Sequence, residues 1–119
     1  MITAMKQPGE TRKIVIVQTT VDSKRKAQKL SGLILKKRLG ACVQTIPIRS
    51  LYRWKGKIES AEEFLLSIKT TSANTARLMD FIKKNHSYEL PEIVMISADA
   101  DCDYAGWVAR ETRRLKKGK

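Results

Sequence analysis

The stretch ACVQTIPIRSLYRWKGKIESAEEFLLSIKT, residues 41–70, holds two long runs of strand-forming residues with Lys55-Gly56 between them. Val43, Thr45, Ile46, Ile48, Leu51 and Tyr52 build the first run; Ile58, Phe64, Leu65, Leu66 and Ile68 build the second. β-Branched and aromatic side chains suit a pleated, half-buried surface, and a two-residue loop with Gly at a positive-φ position closes a tight hairpin. Pro47 cannot donate to a ladder, so a bulge or a local edge is expected there. Strands of about fourteen residues at ~3.3 Å each extend about 46 Å, whereas a helix of about seventeen residues covers only about 25 Å. The distal half of the hairpin, with Leu51, Tyr52, Trp54 and Ile58, must therefore overhang any helix packed beside it. A contiguous exposed patch of this kind usually marks an interaction surface. Self-association would cover it.

Working outward, Ile14-Val15-Ile16-Val17 followed by Gln18-Thr19-Thr20 predicts a strand buried on both faces. Asp22 offers an N-cap, and residues 23–39 place Ala27, Leu30, Leu33, Ile34 and Leu35 at helical spacing, with Gly40 as the expected left-handed stop. After the hairpin, Ser72 is expected to cap a helix over residues 73–86, whose apolar side carries Ala76, Leu78, Met79, Phe81 and Ile82. Pro91 forces Leu90 to be extended and opens a fourth strand through Ser97. Residues 103–115, with Tyr104, Trp107, Val108 and Leu115 on one side, predict a third helix capped by Asp101 or Asp103. The order β-α-β-β-α-β-α is an α+β, ferredoxin-like split βαβ arrangement with a long hairpin and an additional C-terminal helix. Residues 1–12 are read as a flexible leader, 13–115 as a single domain and 116–119 as a basic tail.

A chain of 119 residues with 42% hydrophobic content can build one core without disulfide staples. Cys42 and Cys102 are too few for a disulfide scaffold and lack zinc-ribbon spacing, which predicts a reduced, cytoplasmic protein. Apolar stretches of four residues are far short of the ~20 that cross a bilayer, and residues 1–12 resemble no targeting segment. The formal charge of +12 is the extreme number. Seven basic residues fall within 24–38 and six within 110–119, on segments read as helices. At 3.6 residues per turn the first set spreads over most of a solvent face. With 6% aromatic residues there is no base-stacking platform, so specific nucleic-acid binding is not expected and any binding should be weak and salt-sensitive.

Motifs for chemistry are few. The single histidine lies in His86-Ser87-Tyr88-Glu89-Leu90-Pro91-Glu92. It is either a helix-terminal residue bonded to a last-turn carbonyl or a donor for Cu(II) or Zn(II), supplemented by Glu92, Asp99, Asp101, Cys102 or Asp103. Asp99-Ala100-Asp101-Cys102-Asp103 has the alternation of a calcium loop, but Tyr104 and Arg110 stand where Gly and a bidentate Glu are required; a loop after the last strand is expected there instead. There is no GxSxG elbow and no Gly-rich phosphate loop. No catalytic residue is assigned and the chain is read as a non-enzyme.

Ser50-Leu51-Tyr52-Arg53-Trp54-Lys55-Gly56-Lys57-Ile58-Glu59, Leu66-Ser67-Ile68-Lys69-Thr70, His86 to Ile93 and Asp103-Tyr104-Ala105-Gly106-Trp107-Val108, together with Ala41-Cys42-Val43, resemble the divalent-cation tolerance protein CutA family. The resemblance covers about residues 13–115 and four separated motifs in order. It implies a homotrimer whose long hairpins engage neighbouring subunits through Tyr52, Trp54 and Ile58. It also implies a cytoplasmic role in tolerance or response to copper and other divalent ions, without established catalysis.

The metal site proposed for that family uses a cysteine near the end of the first strand and two adjacent histidines. Gln18 and Asn85 occupy two of these positions here, leaving His86. Amides are poor copper ligands. No cofactor is obligatory on this reading, and Cu(II) or another divalent cation is expected to bind weakly at His86 with Glu92 or Asp103 as helpers. The alternative function is a trimeric small-molecule sensor that takes an anionic ligand in an intersubunit cleft formed by Lys69, Tyr88, Glu92, Tyr104 and Trp107.

Overall fold

Alternation along the first strand decides what the rest of the chain packs against. In the computed structural model, which describes residues 9–114, β1 (Thr11–Val21) is an inner strand of a four-stranded antiparallel sheet. The other elements are α1 (Lys24–Lys36), β2 (Cys42–Trp54), β3 (Lys57–Thr70), α2 (Thr75–Lys84), β4 (Val94–Asp101) and α3 (Cys102–Glu111). The strand order is β2-β3-β1-β4. β1 and β2 both run antiparallel to β3, which lies between them. This is the split βαβ unit of a ferredoxin-like fold.

Val17 and Val21 point to the helix side, where they join Leu66 and Ile68 of β3, Ala27, Leu30 and Ile34 of α1, and Leu78 and Ile82 of α2. Val17, Ile34, Leu66, Ile68, Leu78 and Ile82 are fully buried, each worth about 1.5–3 kcal/mol by apolar transfer. The opposite side of the sheet is covered only at one end, where Ala105 and Val108 of α3 close on Ile14. Ile16 is thus half-buried, so the strand is not enclosed on both faces as expected. Ile46, Tyr52, Val94 and Ile96 stay exposed on that open side, which register assigns to the same face as Ile14 and Ile16.

The hairpin matches its expected limits. Lys55 and Gly56 both have positive φ, 51° and 80°, as a tight two-residue turn requires. Pairing continues through Pro47 opposite Phe64 without a bulge; β2 is an edge strand, which tolerates a residue without an amide proton. β1 leaves β3 at Phe64. From the Ile48–Glu63 pair to the Trp54–Lys57 pair the hairpin is a two-stranded ribbon, roughly 20 Å long at ~3.3 Å per residue.

Several boundaries differ from expectation for local reasons. Ser23, not Asp22, caps α1, its Oγ accepting from the Lys26 amide at 3.1 Å. Arg38, with φ 58°, takes the left-handed position expected of Gly40. Arg38 N–H donates to the Leu35 carbonyl and Leu39 N–H to the Ile34 carbonyl, both at 3.0 Å, the paired bonds of a Schellman stop. Gly40 is needed for space instead, since a Cβ there would stand 2.6 Å from Ile68 Cγ2. Ser72 begins a 3-10 turn (Ser72–Asn74) and caps nothing; α2 starts at Thr75 and ends at Lys84. Leu35 and Ala76, expected on buried helix faces, are exposed.

β4 extends to Asp101, so residues 99–101 are not loop: they pair with Lys13, Arg12 and Thr11. β1 accordingly begins inside the expected leader, at Thr11. Asp101 caps α3, its carboxylate accepting from the Asp103 and Tyr104 amides. Leu115, the basic tail and leader residues 1–8 lie outside the described residues. Among the described residues no helix is long and apolar enough to cross a membrane.

Candidate metal centre and ligand cleft

The segment after α2 carries the histidine past the end of β1. Asn85 closes the helix, its amide side chain donating to the Phe81 carbonyl at 2.9 Å. His86 is therefore outside the helix and is not the last-turn cap expected of it. Its Nε2–H donates to the Thr20 carbonyl of β1 at 2.7 Å, and its Nδ1 accepts from the Tyr88 amide at 3.0 Å. A carbonyl can only accept and an amide N–H can only donate, so the two bonds select the neutral tautomer protonated on Nε2. Both ring nitrogens are engaged.

Tyr88 packs against His86 with ring centroids 4.7 Å apart and the ring planes tilted by 52°, and it donates its phenol proton to Glu63 Oε2 at 2.7 Å. Burial, the hydrogen bond to Glu63 and the negative charge of Glu63 together push the Tyr88 phenol well above its ordinary value. Glu63 is only 8% exposed and stands where β1 leaves β3. The sequence reading missed it. The available signal was its alternation with Leu65, Ser67 and Lys69, which puts a carboxylate on the same face as these residues.

The other expected donors are not assembled around His86. Among the described residues no three His, Cys, Asp or Glu side chains converge as a metal-binding group. Asp103 is exposed in the first turn of α3, and Glu92 is exposed ahead of β4. Gln18 extends its Nε2 toward Ser67 Oγ at 3.5 Å.

The five expected cleft residues fall into separate groups within one protomer. Lys69 pairs with Cys42 across the ladder and bonds Gln44 Oε1. Tyr104 lies beside the side chain of Cys42, and burial foremost, with that contact, raises its phenol above the ordinary value. Trp107 lies 5.6 Å from the Tyr104 ring. Tyr88 belongs to the other end: Glu63, its partner, is six residues along β3 from Lys69, roughly 20 Å at ~3.3 Å per residue. Between Tyr88 and the hairpin opens a cavity of about 470 Å³ lined by Asp22, Tyr52, Trp54, Tyr88, Glu89 and Leu90. Two of the expected interface residues, Tyr52 and Trp54, thus face a loop of their own protomer, while Ile58 is 70% and Leu51 69% exposed.

The model of the family described as CutA1 divalent ion tolerance protein matches residues 15–111. Protein CutA, chloroplastic, of Arabidopsis thaliana is 33% identical over 111 residues, which cover 92% of this chain and 61% of that protein. The chain therefore spans less than two thirds of the plant relative. Divalent-cation tolerance protein CutA of Thermus thermophilus is 34% identical over 99 residues, covering 82% of this chain and 96% of the relative. Among solved structures, the periplasmic divalent cation tolerance protein CutA of Archaeoglobus fulgidus superposes with a TM-score of 0.82 at 33% identity, covering 84% of this chain and 99% of that one.

Proposed function

Because the chain belongs to the CutA1 divalent ion tolerance protein family, we propose that it acts in tolerance to divalent cations as a cytoplasmic homotrimer that binds metal weakly and has no catalytic role. The observation that carries this reading is the state of His86. A divalent ion reaches either nitrogen only by displacing the bond to Thr20 or the bond from Tyr88, each worth about 0.5–1.5 kcal/mol net. The remaining donors are carboxylates such as Glu92 or Asp103, supplied in an assembly by the same or a neighbouring chain. One imidazole with hard oxygens discriminates poorly among divalent ions, and binding weakens on acidification because the ligand nitrogen must be unprotonated.

Calorimetric titration of metal-stripped protein, its N-terminal amine blocked, tests the metal part. Weak binding of Cu(II) that disappears in His86→Ala is the expected result. Unchanged copper affinity in that variant would remove His86 from the reading. A second reading, a sensor for an anionic ligand, draws support from Lys69 beside Tyr104 and Trp107 on the open sheet face. Binding of an organic anion that is lost in Lys69→Ala, with copper binding absent, would favour it.

A further inference from the structure

Five cations gathered at the ends of the three helices serve neither the proposed metal site nor the assembly. Lys36 ends α1, Lys37 and Arg38 follow it, Arg77 lies in the first turn of α2 and Arg114 follows α3; together they line one cavity of about 230 Å³ with no carboxylate among its walls. Arg38 is held by the carbonyls of Arg110 and Arg113, each 2.9 Å away, and Arg77 Nη1 donates to Asn74 Oδ1 at 3.1 Å. These neutral acceptors fix two guanidinium groups without cancelling their charge. The nearby carboxylate, Asp80, borders the adjacent groove and is paired with Lys84 at 3.0 Å. Among the described residues no ion pair involves any of the five. Like charges gathered without counter-charge repel one another, and an anion seated between them relieves this.

We propose that this groove binds a compact oligophosphate, either an inorganic condensed phosphate or the phosphate tail of a nucleotide. Arginine forks match phosphate oxygens in pairs while lysines add point charge. The cavity is smaller than the ~300–1,000 Å³ that encloses a drug-sized ligand, so it takes the phosphates and leaves any base outside. A nucleic-acid strand fits less well: the cations converge on one spot, and the aromatic beside them, Phe81, is half-buried under the Lys37 ammonium at 6.0 Å, offering no open ring for base stacking. The site is independent of His86 and of the open sheet face.

Calorimetry on the full chain at about 0.15 M salt, with sodium triphosphate, ATP and a single-stranded oligonucleotide as separate ligands, provides the test. Triphosphate should bind once per chain. ATP of similar affinity would point to the nucleotide tail as a ligand, and much weaker ATP binding to inorganic phosphate chains. Arg77→Glu and Lys36→Glu should each weaken binding by about tenfold or more, whereas Lys24→Glu, the same charge change at the other end of α1, should alter it by less than about twofold. Absence of triphosphate binding would overturn the proposal, as would equal losses in Lys24→Glu and Arg77→Glu or tighter binding of the oligonucleotide. Loss of binding in Lys69→Ala with none in Arg77→Glu would place the anion on the sheet face and overturn it too.

Discussion

Tyr88 and Glu63 form the most consequential polar pair in the protomer, because the carboxylate is buried and the phenol is its side-chain partner. Tyr88→Phe leaves that carboxylate without the donor, and an unsatisfied buried acceptor costs about 1–3 kcal/mol; urea denaturation should show a loss of that size. The phenol's pKa is raised by burial and by Glu63, so above about pH 10 the folded chain holds a proton that an unfolded chain releases. The resulting stability is complete below that pH and is lost as pH rises toward the native value. In an alkaline spectrophotometric titration, the latest phenolate to appear should be missing from Tyr88→Phe. Identical titration curves would contradict this assignment. Tyr88 and His86 stood out in the sequence as members of one motif, but Glu63 did not: its partner is 25 residues away, and a carboxylate in a strand reads as a solvent-facing residue until the fold brings Tyr88 over it.

At the scale of elements, the chain's punctuation was legible more in kind than in position. Asp22 and Ser23 are both good N-caps, and side-chain direction decides for Ser23. Ser23→Ala should cost about 1 kcal/mol, more than Asp22→Ala, which removes an exposed ion pair with Lys26. Gly40 marks the end of the α1 region, yet the left-handed residue is Arg38, whose side chain reaches the carbonyls at the end of α3. A contact so remote in sequence leaves no local trace. Gly40→Ala should destabilise by about 1–3 kcal/mol in thermal or chemical unfolding, because the new methyl meets buried Ile68 and Ile34. β4 ran longer than its hydrophobic pattern suggested, since residues 98–101 alternate Ala with Asp and pair with the start of β1 through the backbone ladder, the Lys13–Asp99 ion pair and the packing of Ala98 and Ala100 beside Ile14.

For the whole molecule, the overhang of the hairpin followed from counting residues: strands of 13 and 14 residues stand beside a first helix of 13. The packing of Tyr52 and Trp54 near the loop at residues 87–90 was not legible, because a loop's path over a sheet depends on contacts that periodicity does not encode. A two-stranded ribbon is at best marginally stable alone in water, and here it carries Leu51 and Ile58 exposed at its distal end while one sheet face remains largely open. Both features favour association of chains. Trp54→Ala should weaken that association by about 2 kcal/mol or more, the loss typical of an aromatic interface anchor, read as a higher dissociation constant in sedimentation. Sedimentation equilibrium of the wild-type chain at micromolar concentration tests the assembly directly: a species of three times the 13.5 kDa of one chain is expected, and a lone 13.5 kDa monomer would rule out the homotrimer.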